Sequence, residues 1–225
     1  MRMVVAVLVW IGLATAGQAG PWPRDRGDGF IALTTDGMRR QVYAEYGIGF
    51  DLTLGVEVTQ IRGHAYPVIA GFVRRPLWRG KGGWILSMET GLESRESHAA
   101  RSWAHMAGTR ELAARAGLSW GRGFESRWGD GWMVVDAQVE RVLTIDWIAA
   151  RHSAKLDATI GIAWGERLKL MLQAQGWMRQ GGSPLVRIEP AVAFRLGPAH
   201  LLAAPSVGVV GPRDPRFKLG LWLEF

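Results

Sequence analysis

The sequence predicts an all-β chain, a closed antiparallel transmembrane β-barrel of about twelve strands, with roughly ten to fourteen admissible. Three observations predict it. Segments in which apolar and polar residues alternate recur along the chain, separated by turns rich in glycine and proline. An apolar leader opens the sequence, and after it no apolar run approaches the roughly twenty residues of a membrane helix. The closing stretch alternates to its final residue, with Phe217, Leu219, Leu221, Leu223 and Phe225 opposed by Arg216, Lys218, Gly220, Trp222 and Glu224.

The leader has a basic start at Met1-Arg2-Met3, an apolar run from Val4 to Ala14, and small residues at Gly17-Gln18-Ala19. It reads as a Sec signal peptide, residues 1–19, cleaved before Gly20 and too short to span a bilayer. Residues 20–225 then form a single domain, because no linker or composition shift divides them. The chain has no cysteine, which removes disulfide and thiolate chemistry. Its formal charge of +7 comes almost wholly from arginine. The basic residues alternate with apolar ones instead of forming a run, which argues against nucleic-acid binding.

Taken in order, the first strand covers Gly29 to Thr35. Gln41 to Ile48 follows, and after the turn Gly49-Phe50-Asp51 comes Leu52 to Thr59. A fourth segment, about 65–78, has its period muddied by Arg74-Arg75-Pro76. Trp84 to Arg95 is clean. Residues 109–118 read either as an amphipathic helix capped by Thr109 or as a strand, and the neighbouring strands favour the strand. Gly121 to Gly131 reads as a longish turn. Met133 to Glu140, Lys155 to Trp164, Arg167 to Gln175, Val186 to Leu196 and Leu201 to Val210 follow, and 216–225 closes the set.

The ending on Phe225 resembles the C-terminal signal of bacterial outer-membrane β-barrel proteins. With the leader and strand pattern, the chain resembles a small, alphaproteobacterial-style outer-membrane barrel. The resemblance implies an outer-membrane location, lipid and lipopolysaccharide as surroundings, recognition of residues 215–225 by the barrel-assembly machinery, and a monomer. It carries over no functional residue. Placing the N-terminus in the periplasm makes every second connection periplasmic, beginning at residues 49–51. Phe50, Trp84, Trp120, Trp164 and Phe225 flank that set on the apolar face, as a periplasmic aromatic girdle would. Gly47, Gly55, Gly91, Gly117, Gly161 and Gly220 fall on the polar face, where they ease curvature and free space near the axis.

Charges on the polar face are the candidate functional residues. Glu45, Glu57, Glu89 and Glu93 fall on strands two to five. Arg167, Lys169, Arg187, Arg195, Arg216 and Lys218 fall on strands nine to twelve, with Glu189 and Glu224 as acidic exceptions there and Lys155 and Asp157 between the two groups. In a closed cylinder these arcs face each other, either pairing to plug a narrow lumen or setting a field across a small pore. The expected role is a narrow channel for small solutes or a charge-plugged structural barrel. A lipid hydrolase is the rival class, as is an envelope interaction protein. His152 with Ser153, or His98 and His105 with Ser97 and Ser102, are its residues. Neighbours on a strand face opposite ways, so His152 and Ser153 cannot pair. Five scattered histidines and no cysteine give no metal motif, and no cofactor is expected.

Overall fold

The computed structural model describes residues 20–97, 110–143 and 151–225. The leader 1–19 lies outside them, as do His98, Ser102, His105 and Thr109. The described residues form twelve strands: β1 (Gly29–Thr35), β2 (Arg39–Gly49), β3 (Leu52–Ile61), β4 (Val68–Arg79), β5 (Ile85–Glu96), β6 (Arg110–Ser126), β7 (Gly129–Val142), β8 (His152–Trp164), β9 (Leu168–Arg179), β10 (Leu185–Leu196), β11 (Ala199–Val210) and β12 (Arg216–Glu224). Each pairs antiparallel with its chain neighbours, and β1 pairs with β12 to close the barrel.

The seam shows why the alternation runs to the last residue. Leu33 pairs with Leu221 and Ile31 with Leu223, which continues the outward apolar face across the closure. Gly29 N donates to Phe225 O at 2.6 Å, and Phe225 N donates to Gly29 O at 3.0 Å. A Cβ at Gly29 would fall 2.3 Å from the Phe225 ring, so the tip of the aromatic abuts the first residue of β1.

The two faces of the wall are inverted relative to a soluble barrel. Glu45 and Arg74 are each 3 % exposed, whereas Leu92, Leu156 and Leu219 are each more than half exposed. Such a wall is stable only where the solvent outside is apolar. A closed sheet also leaves no unpaired backbone edge for lipid to meet, so the barrel spans a membrane.

Residues 110–118 are strand, paired along their length with β5. The longish turn expected at Gly121 to Gly131 is not formed. β6 runs on to Ser126 and β7 starts at Gly129, leaving a turn at Arg127-Trp128. Gly121 pairs with Val134, Gly123 with Trp132 and Gly131 with Phe124. A glycine opposite a large residue contributes no side chain to the period, so the alternation is real but invisible in sequence. The muddied stretch at Arg74-Arg75-Pro76 is a register shift between Pro76 and Trp78, where a proline in a strand is tolerated.

Ahead of β1, residues 20–24 run inside the barrel at the end that holds the chain termini, and 25–28 lie exposed at its mouth. Ser87 Oγ donates to Pro21 O, and Arg24 N donates to Thr53 Oγ1 at 2.9 Å. Gly27 N donates to Gly47 O, and Gly47 N donates back to Asp28 O. Pro21 is fully buried, and Trp22 packs against the inner apolar cluster of Phe30, Trp132, Met171, Leu202 and Trp222.

Gly47 makes room for this segment, since a Cβ there would lie 1.9 Å from Asp25 O. Gly55 and Gly161 do the same for the inward rings of Phe72 and Trp132. We expect Gly47→Ala to destabilise the barrel by about 1–3 kcal/mol through overpacking against backbone. Gly71→Ala, with nothing within 4 Å of the added Cβ, should be near neutral. Urea unfolding in lipid vesicles checks both, and equal midpoints for the two variants would remove the seating role from Gly47.

Candidate functional site in the barrel interior

The interior is built by charges that meet across neighbouring strands. Glu45 on β2 is the centre of one group. Its Oε1 accepts from Arg74 Nη1 at 2.6 Å and from Tyr43 OH at 2.5 Å, and its Oε2 accepts from Arg24 Nε at 2.9 Å. Arg74 Nη2 also donates to Glu89 Oε2 at 2.9 Å, and Arg115 Nη2 donates to Glu89 Oε1 at 2.7 Å. Glu57 accepts from Gln41 Nε2 at 2.8 Å and lies 3.9 Å from Arg115. Both guanidiniums sit 5.3 Å from the centroid of the Phe72 ring, which itself stacks on Tyr43. The network therefore runs from the N-terminal segment through β2, β4 and β5 to β6.

A second group lies nearer the opposite end. Arg95 contacts Glu93 at 3.0 Å and both Glu111 and Glu140 at 2.9 Å. Ser153 Oγ donates to Glu140, and Arg151 donates to Glu111. On the other wall, Lys155 meets Asp157 at 2.8 Å and Lys218 meets Glu189 at 2.6 Å. Arg187 and Arg216 both hold Asp214, in the β11–β12 connection, at 2.7 Å.

Between these groups is a cavity of about 290 Å³ to which all twelve strands contribute lining residues. Of the charges expected to face the lumen, Glu57, Glu89, Lys155, Asp157 and Lys218 line this cavity, joined by Arg74, Arg115, Asp136 and Glu189. Glu45 and Glu93 are buried in the two networks. Lys169 is buried toward the termini end. Arg187 is drawn to Asp214 at the opposite rim, and Arg195 is exposed, its Nε donating to Gly197 O.

The expected pairing of two arcs across the lumen is not what neutralises these charges. Among the described residues, no acid of β2–β5 is ion-paired with a base of β9–β12. The acids are met by Arg24, Arg74, Arg95 and Arg115 in their own sector. A neighbouring strand brings a partner within hydrogen-bond reach, whereas the far wall does not.

Phe50 is 94 % exposed in the β2–β3 turn, and Trp164 and Phe225 are both mostly exposed at the same end. Trp84 and Trp120 stack with ring centroids 4.3 Å apart. Trp78 and Trp128 join them there, while Trp132 and Trp222 turn inward. His152 pairs with Arg141 across β7 and β8, while Ser153 faces the interior, bound to Glu140. Among the described residues, no group of three or more His, Asp or Glu is placed to hold a metal ion.

These features define a class: a twelve-stranded barrel of the outer-membrane type, apolar outside and lined inside by charge networks. Among solved structures the chain is similar to the KdgM porin, with a TM-score of 0.59 at 8% identity, over 88% of this chain and 99% of that one. A second KdgM porin structure, in complex with disordered oligogalacturonate, matches with TM-score 0.59 at 7% identity and the same coverage. The β domain of the Bordetella autotransporter BrkA aligns over 88% of this chain and 97% of that one, with TM-score 0.45 and 14% identity. At these identities the likeness is one of fold. No protein-family model and no curated protein matches the sequence.

Two predictions follow from the networks. Arg74→Ala strands two buried carboxylates and should cost roughly 3–5 kcal/mol, read from unfolding in vesicles. A loss below about 1 kcal/mol would show that water already screens Glu45 and Glu89. Asp214 lies outside the strands, and hydrogen bonds from Arg187 and Arg216 pull its carboxyl down to about 2. A depressed value means the tie is at full strength above the ordinary aspartate value of about 3.9 and is lost as pH falls through the lowered one. Hydrogen exchange of residues 211–216, relative to the intrinsic rate, should therefore accelerate progressively as pH falls from about 4 to about 2. Protection unchanged down to about pH 2, or lost already at about pH 6, contradicts the tie.

Proposed function

We propose that the chain is a narrow outer-membrane channel for small solutes, held shut near its periplasmic end by residues 20–28. The observation that carries this reading is the central cavity, lined by polar groups from every strand but β11, with the N-terminal segment bonded to β2, β3 and β5 at one end of it. A barrel built only as structure could fill that space with apolar side chains at less desolvation cost. The retained polar wall suits passage of hydrated solutes instead.

In this reading the termini end faces the periplasm and its exposed aromatics form the girdle at that interface. The basic surface meets anionic lipid and lipopolysaccharide, residues 215–225 are read by the barrel-assembly machinery, the leader directs export, and the barrel works as a monomer. A charge-plugged structural barrel is the second reading, favoured by the apolar cluster around Trp222 that narrows the termini end. Lipid hydrolysis has less to stand on, because His152 and Ser153 occupy opposite faces.

The test is planar-bilayer recording of the refolded barrel and of a variant lacking residues 20–27, both first verified by heat-modifiable migration. The intact barrel should show small or brief openings, and the truncated one a steady, larger conductance. Lys155→Glu in the truncated barrel should shift selectivity toward cations. A verified truncated barrel that stays silent would overturn the channel and leave the structural reading.

A further inference from the structure

The chain has four lysines. Lys81 lies in the β4–β5 turn, and the other three face the interior. Lys155 and Lys218 each have a carboxylate within 2.8 Å. Lys169 is different: it is 7 % exposed, and among the described residues it has neither an ion pair nor a hydrogen bond. It precedes Met171 on the same face of β9, and Met171 belongs to the inner apolar cluster. The ammonium is thus held between an apolar ceiling and the mouth at the termini end. An unpaired buried ammonium costs several kcal/mol, so the position calls for a negative group.

The neighbours supply more donors. Arg195 and His200 are direct cross-strand partners on β10 and β11 at the same mouth. Lys169 pairs with Ala193, two residues before Arg195 on the same strand, and the His200 ring lies 6.4 Å from that of Trp222. Arg195 uses its Nε on Gly197 O, which leaves its terminal amino groups for another acceptor. Among the described residues Glu224 forms no ion pair with Lys169.

We propose that Lys169, Arg195 and His200 form an anion site at the periplasmic mouth of the lumen, which takes a small oxyanion such as a carboxylate or phosphate group. Lys169 is the buried point charge at its floor. Arg195 closes over the oxygens from the exposed side with its planar fork. The site rests on the lumen reading for its location but not on conduction.

The test is NMR of the refolded full barrel with lysines labelled at 13Cε, titrated with sodium phosphate and with sodium acetate against sodium chloride at matched ionic strength. With four lysines, each signal is assigned by one Lys→Arg variant, or by elimination should Lys169→Arg fail to fold. The Lys169 signal should move saturably with phosphate or acetate while those of Lys155 and Lys218 stay. Phosphate alone would assign the site to phosphate groups, acetate alone to carboxylates. Arg195→Gln should weaken binding about tenfold, as loss of one charge-assisted contact does. A Lys169 signal unmoved at on the order of 100 mM of either anion, or a common drift of all four signals, overturns the site. Silence in the bilayer with a shifting Lys169 sinks the channel alone, and conduction with a still Lys169 sinks only the anion site.

Discussion

Glu45 is the contact on which the interior depends. One carboxylate, 3 % exposed, accepts hydrogen bonds from Arg74, Tyr43 and Arg24. Three strong donors offset the desolvation of one buried charge, which a single partner in this setting rarely does. Through Arg74 the bond extends to Glu89 and Arg115, and through Arg24 to the segment that enters the barrel. Local pairing of the wall and closure of the lumen are therefore one arrangement. Releasing Arg24 would loosen residues 20–28 and leave Glu45 with two donors instead of three.

The inverted wall follows from the same constraint. A barrel in lipid keeps most of its charged side chains inward, and twelve strands leave a narrow interior to hold them. Phe72 illustrates the solution. Its ring needs the space left by Gly55 and lies within 5.3 Å of two guanidiniums, so it fills volume without adding a charge that needs a partner. Exposed leucines outside and buried arginines inside are two faces of one alternation, and a one-residue slip would exchange them throughout a strand.

Much of this was legible in the sequence. Periodicity marked most of the strands, because side chains alternate regardless of what lies on either face, and residues 109–118 were assigned from their neighbours. The closing strand ran to Phe225 because its outward residues had to continue the face of β1 across the seam. What stayed hidden lacks a period. Residues 20–28 pair with no strand along their length, and their only sequence marks are Pro21-Trp22-Pro23 and the glycine at 27. Arg74 was masked by the register shift beside Pro76, and the end of β6 by glycines that carry no side chain. The pairing of charges was misjudged for a related reason. Sequence order groups acids and bases into arcs, but neighbouring strands bring individual side chains within bonding distance first.

The central claim is that lipid meets one face of each strand while residues 20–24 are lodged inside the barrel. Because the chain has no cysteine, single introduced cysteines report one site each. The direct measurement is a nitroxide accessibility scan along 217–223 and 21–24 in vesicles, comparing oxygen with a water-soluble nickel relaxant. The account predicts strong oxygen access at 219, 221 and 223, weak access at 218, 220 and 222, and protection of 21–24 from both agents. Free nickel access throughout 21–24 would contradict it, as would a scan of 217–223 without alternation.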